Sequence, residues 1–217
     1  MAEKPILFNT QMVRAILRKQ KTVTRRIAKP QIAPCFRTGE TFTPVECDDG
    51  SWTLEIDQYP GTIYEGVYYP PCFPGDTLYV RETWACPEPH SRFLYRANYS
   101  ETEKFYRDGK EVTIKWHPSL HMPKSAARIF LKVTNVTLER LQNITATDIT
   151  AEGVSLPKAI PDDLESTVKY ENELRKEFKA LWDSTVNKKD IDRYGFDANP
   201  LVWAIEFEVW AIKFEKL

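Results

Sequence analysis

The 217-residue sequence has no run of eighteen apolar residues and its mean hydropathy is −0.47, so no membrane-spanning helix is expected. The opening Met-Ala-Glu-Lys-Pro-Ile-Leu-Phe lacks the apolar stretch of a signal peptide, which points to a cytoplasmic protein. None of the four cysteines, Cys35, Cys47, Cys72 and Cys86, forms a Cys-x-x-Cys pair, and reduced thiols are expected. Cys86 and His90 are four apart with Cys72 upstream, but Pro87-Glu88-Pro89 intervenes and no second spaced pair exists. No metal and no cofactor are therefore expected. Repeats and low-complexity linkers are also missing, so residues 1–217 read as a single domain. What is abundant is aromatic area: six Trp, ten Tyr and eleven Phe, which excludes a disordered chain.

An excess of one charge sign is missing too, since the formal net charge is −1. The near-zero total hides a pattern. Residues 1–39 hold nine Lys or Arg and one acid (+8), and residues 40–89 hold one base and ten acids (−9). Residues 90–138 hold nine bases and four acids (+5), and residues 139–217 hold eleven bases and sixteen acids (−5). Two basic segments folded onto one face would suit a polyanion, so nucleic acid stays open as a partner. Locally basic helices with solvated Lys and Arg are the plainer explanation.

Ile6-Leu7-Phe8 reads as a short strand. Asn9 or Thr10 then caps a helix with Met12, Val13, Ile16 and Leu17 on its apolar face, ending near Gln20. Residues 30–74 are proline-rich, with Ser51–Ile56 as a hairpin strand. Pro74-Gly75-Asp76 is a turn, and Thr77–Trp84 reads as a strand. Phe93–Ala97, Val112–Trp116 and Arg128–Val133 are further strands. Thr145 and Asp148 have capping-box spacing for a short helix ended by Gly153. Residues 165–185 form the longest helix, with Leu174, Phe178, Leu181 and Trp182 buried. A last strand follows Asn199-Pro200, with Leu201, Trp203, Ile205, Phe207 and Val209 on one face and a slip at Trp210. Trp84, Trp182 and Trp203 are expected in the core. This order gives an α+β protein built on a small, partly closed sheet or barrel with flanking helices.

Chemistry concentrates in Lys19-Gln20-Lys21-Thr22-Val23-Thr24-Arg25-Arg26, just past the first helix. Cations there can hold phosphate and hydroxyls can bond bases. A desolvated lysine can instead act as a base toward a threonine. His117 and His121 are four apart, but Pro118 and Pro123 oppose a regular helix. Trp116, His121, Lys124 and Arg128 interleave aromatic and basic side chains as a stacking surface requires, although packing explains Trp116 equally well. Glu82 has a plain alternative as the ion-pair partner of Arg81 or Arg26.

The chain resembles the ASCH family, whose domains have a PUA-like fold and a Gly-x-Lys-x-x-Thr-x-Arg motif after the first helix. Lys21, Thr24 and Arg26 match that motif, while Lys19 occupies its glycine position. The Pro74-Gly75-Asp76 turn before a strand reaching Glu82 is similar to the family's second landmark, and Val202–Phe207 to its last strand. Trp116–Pro123 and Asp197-Ala198-Asn199-Pro200 resemble the larger bacteriophage and prophage branch. The resemblance implies a mixed or antiparallel PUA-like barrel, with insertions around residues 40–70, 90–125 and 155–200. It implies binding of RNA or a modified nucleobase in a basic cleft lined by Lys21, Thr24 and Arg26, with Glu82 reading the base edge; Arg25, Arg81, Trp116, His121, Lys124 and Arg128 are further candidate contacts to the ligand. A branch of the family hydrolyses N4-acetylcytidine. By that likeness Lys21 is the base, Thr24 the nucleophile and Glu82 the polarising carboxylate. The remaining alternative is a non-catalytic phage interaction protein that docks through residues 139–217.

Overall fold

The computed structural model describes residues 1–29, 42–57, 61, 63–86, 92–156 and 163–213. The first third of the chain forms β1 (Glu3–Leu7), α1 (Thr10–Leu17), β2 (Val23–Ile27), β3 (Phe42–Glu46), β4 (Trp52–Ile56) and β5 (Ile63–Tyr68). The middle forms β6 (Thr77–Arg81), β7 (Trp84–Ala85), β8 (Leu94–Tyr95), β9 (Phe105–Arg107), β10 (Lys110–Val112) and β11 (Ile129–Arg140). Helices α2 (Ala146–Ala151), α3 (Leu164–Thr185) and α4 (Ile191–Tyr194) then precede β12 (Leu201–Ile212). The protein is therefore mixed α+β with several antiparallel sheets. No helix among the described residues is long and apolar enough to cross a membrane.

The chain divides into two compact units, and β11 and β12 each begin in one and end in the other. The first unit comprises Met1–Thr22, Pro74–Thr134 and Phe207–Leu217. Its strands run in the order β1-β6-β11-β12. β1 and β6 are parallel with Ile6 opposite Val80, and β6 is antiparallel to β11 with Leu78 opposite Leu131. All four of those side chains are buried, as are Phe8, Val13, Ile16, Ile129, Val133 and Phe207. The second unit comprises Val23–Phe73 and Asn135–Glu206, with the order β11-β12-β2 and a separate β3-β4-β5 sheet. Its core gathers Leu141, Ile144, Ile149, Leu174, Phe178, Trp182, Phe196 and Val202. The 3.6-residue spacing of Leu174, Phe178 and Trp182 turns one stripe of α3 into that core. The Trp182 indole N–H donates to the Tyr194 carbonyl at 2.8 Å.

Local chemistry explains the element ends. Asn9 caps α1 by accepting from the Met12 N–H, and Thr145 with Asp148 forms a full capping box on α2. Helix α1 stops earlier than its periodicity suggests. The Lys19 N–H donates to the Ile16 carbonyl at 2.9 Å and the Gln20 N–H to the Ala15 carbonyl at 2.8 Å, with Lys19 at φ +60°. That is a Schellman ending, whose left-handed residue is usually glycine. The backbone thus keeps the turn that the motif's glycine would favour, at the cost of a Cβ in the left-handed region. Lys19→Gly is expected to stabilise the protein by about 1 kcal/mol, a rise in Tm of about 2–4 °C measurable by thermal denaturation.

Several strand expectations need correction. β6 ends at Arg81, and the Glu82 N–H donates to Met122 Sδ at 3.1 Å. Trp84 pairs instead with Tyr95 and His117, and it is half-buried rather than a core residue. Phe93–Ala97 shrinks to Leu94–Tyr95, because the Arg96 guanidinium bonds the Tyr99 and Ser100 carbonyls and curls the backbone into a 3-10 turn. Of Val112–Trp116 only Val112 is strand. It closes a hairpin whose turn residues, Asp108 and Gly109, have φ +50° and +75°, as a two-residue hairpin loop requires.

Candidate functional site

Glu82 follows β6 and continues the buried alternation of Leu78 and Val80. β1 and β6 run in parallel, so Phe8 occupies the matching step beyond Ile6, and its N–H donates to the Arg81 carbonyl at 3.1 Å. The Glu82 carboxylate is 1% exposed and accepts two bonds from Arg128, 2.8 Å from Nε and 3.0 Å from Nη2. This bidentate geometry is the strongest common form of carboxylate recognition. Arg128 Nη1 also donates to Asn98 Oδ1 at 2.9 Å, and the guanidinium lies 4.0 Å from the Tyr95 ring centroid. Burial pushes the Glu82 carboxyl above its ordinary value, and Arg128 opposes that rise by hydrogen bonding and charge. The partner that the structure gives Glu82 is thus Arg128.

Lys21, in the same unit, is also 1% exposed, with Nζ 5.7 Å from the Phe8 ring centroid. Its backbone N–H donates to the Ala15 carbonyl at 3.2 Å, which ties it to the helix ending. Arg81 is half-buried and donates to the carbonyls of Leu120 and Met122. Trp116 packs among Tyr99, Phe105 and the Arg96 guanidinium, at 6.0, 6.1 and 5.5 Å. The His117 ring sits 5.2 Å from Trp84, whose indole Nε1 is buried with no hydrogen-bond partner. His121 is exposed on a 3-10 turn. Lys124 is exposed, pairs with Glu3 and lies 5.7 Å from the Tyr79 ring centroid.

In the second unit, Thr24 on β2 is 1% exposed and sits opposite Ile205. Its neighbour Arg25 is buried and enclosed by carboxylates. Nε donates to Glu139 Oε1 at 2.6 Å, with Asp148 at 3.6 Å and Glu152 at 3.5 Å from the other nitrogens. The Arg25 backbone N–H also donates to Glu152 Oε1 at 2.7 Å. The Glu139 carboxyl is pushed up by burial and, to a lesser degree, by the charges of Asp148 and Glu152, while Arg25 pulls it down. Arg26, opposite Trp203, is held below its ordinary value by burial, with Glu152 acting in the other direction.

The structure therefore joins Glu82 to Arg128 and places Lys21 beside Phe8. Asn98, Tyr95, Glu139 and Glu152 are partners that the sequence reading missed, and each is far in sequence from the residue it holds. Cys35 and His90 lie outside the described residues. Among the described residues, no group of three or more His, Cys, Asp or Glu is arranged to hold a metal.

Fold and site together define a mixed α+β protein with a buried lysine and a buried arginine–glutamate pair. No family model, no curated protein and no solved structure matches the chain.

Proposed function

We propose that this chain is an ASCH-type domain with a PUA-like barrel fold that binds RNA or a modified nucleoside, with Lys21, Glu82 and Arg128 as recognition groups. One observation carries the reading. Lys21, Thr24 and Glu82, the polar residues singled out by the motif resemblance, are each 1% exposed. Burial to that extent is rare for Lys and Glu, because desolvating an ion costs several kcal/mol. Titratable groups held that way gather at functional sites. The chemistry suits a base edge. A carboxylate fixed by two Arg128 bonds has lone pairs left for amino or imino N–H groups, and a lysine supplies charge for a phosphate or carbonyl.

The test is fluorescence anisotropy of labelled single-stranded RNA. Micromolar binding that weakens steeply with salt is expected, with a loss of tenfold or more in Lys21→Met and in Glu82→Gln. Thermal melts of both variants separate lost binding from lost folding. Absent or salt-insensitive binding would refute the reading. The match of Thr24 to the motif's threonine makes hydrolysis the second reading. Conversion of N4-acetylcytidine to cytidine by the wild type, abolished in Thr24→Ala, would put that reading first.

A further inference from the structure

A second surface of the first unit lies outside the Lys21–Glu82–Arg128 group. β6 and β11 pair Tyr79 with Phe130 and Thr77 with Lys132, so these four residues share one sheet face, opposite the face of Leu78 and Leu131. Phe130 is itself buried with Tyr95, Met122, Ala126 and Ala127, and Tyr79 packs against that cluster, so what this face offers to solvent is its rim. Each ring on or beside this face carries a lysine. Lys124 Nζ is 5.7 Å from the centroid of Tyr79, Lys213 Nζ is 4.5 Å from that of Phe130, and Lys132 Nζ is 4.9 Å from that of Trp210. Trp210, on β12, is 62% exposed. A side chain that large is ordinarily well buried, so Trp210 leaves ring area in solvent beside a cation. With Arg81, two residues from Tyr79, the face bears four cations, of which Lys124 is paired with Glu3, and Glu208 is a second exposed acid.

We infer that this face binds the backbone and flanking bases of a single-stranded nucleic acid, extending the recognition proposed for Lys21, Glu82 and Arg128. The inference rests on that nucleic-acid reading and specifies its ligand as a strand rather than a free nucleoside. Trp210, 62% exposed with Lys132 over its ring, offers the remaining ring area for a base to stack on. Lys132, Lys213 and Lys124 stand where successive phosphates would pass. Neighbouring strands are about 4.8 Å apart, so side chains on β6, β11 and β12 span more than one nucleotide. A protein partner fits less well, because lysine is depleted at the centre of protein interfaces and here every ring is covered by one.

The probe is a labelled 12-mer oligouridylate, titrated by anisotropy into the full chain at two salt concentrations, with uridine as the single-nucleoside control. Trp210→Ala is expected to weaken 12-mer binding about tenfold or more while leaving uridine binding unchanged. The pair Lys132→Gln and Lys213→Gln is expected to weaken it too, and to reduce the salt slope by about 1.4, the value for two phosphate contacts to a single strand. Trp210 and Lys213 are exposed and Lys132 is half-buried, and matched melting curves confirm that the variants fold. If 12-mer affinity is unchanged in these variants yet lost in Lys21→Met, this inference is overturned and the nucleic-acid reading stands. If the wild type does not bind the 12-mer, both are overturned. A dimer that disappears in Trp210→Ala, with RNA affinity unaltered, also overturns it and assigns the face to a second copy of the chain.

Discussion

Arg128→Met is expected to destabilise the protein by about 3–5 kcal/mol at neutral pH, and much of that loss is expected to vanish in acid. The reason is the stranded partner. Glu82 is 1% exposed, and Arg128 supplies both of its described side-chain hydrogen bonds. In the wild type, burial already lifts the Glu82 carboxyl above its ordinary 4.5, so the folded chain holds this proton more tightly than the unfolded chain does. The stability linked to that proton is complete below 4.5 and is lost as pH rises through the higher folded value. Removing Arg128 removes both influences that lower the folded value, so the window widens and the loss at neutral pH deepens. Below the ordinary value Glu82 is neutral in both states, and what remains is the packing of Arg128 against Tyr95. Urea denaturation of wild type and variant across acid and neutral pH measures the difference. The double variant Glu82→Leu with Arg128→Met is expected to recover most of the stability, because replacing both ions with apolar groups strands neither. A double variant as unstable as Arg128→Met at every pH would show that lost packing, not a stranded charge, causes the effect.

The elements legible in the sequence were those fixed by neighbours within about four residues. Val13 and Ile16 set the buried side of α1, Thr145 and Asp148 set the start of α2, and Leu174, Phe178 and Trp182 set the stripe of α3. Where a remote partner decided the outcome, the pattern misled. Thr77–Trp84 looks like one strand, yet Glu82 leaves the ladder to meet Arg128, 46 residues away. Arg96 bends its own segment by bonding the Tyr99 and Ser100 carbonyls, which no alternation of apolar residues encodes. The candidate site divides in the same way. Lys21 and Glu82 were found because a motif marked them, whereas Asn98 and Tyr95 carry no local mark. The segment charges show the limit most plainly. Arg25 was counted in the +8 block of residues 1–39, but its guanidinium faces three acids drawn from residues 139–152. A charge summed along the chain therefore overstates the charge a partner would meet.

Arg25→Met is accordingly expected to be a stability variant, with a loss of about 3–5 kcal/mol at neutral pH. Glu139, Asp148 and Glu152 surround the guanidinium, and its removal takes away the cation that all three share. Burial, helped by the charges of its neighbours, already holds the Glu139 carboxyl above its ordinary value against the pull of Arg25. Without Arg25 that value climbs further, so the folded variant takes up protons more readily than the unfolded chain. Its stability is then greatest below the ordinary carboxylate range and falls as pH rises through the folded value, the reverse of ordinary acid denaturation. Arg25→Lys is expected to recover only part of the loss, since an ammonium has one charged centre and cannot reach carboxylates on several sides as the guanidinium fork does. Denaturation midpoints at several pH values test these statements, and RNA affinity per folded molecule separates a structural arginine from a ligand contact. Affinity that is unchanged in Arg25→Met at a temperature where the variant remains folded would assign this charge wholly to the second unit's interior. A loss as large as that of Lys21→Met would place Arg25 among the recognition groups, and the three carboxylates would then serve to hold it in position.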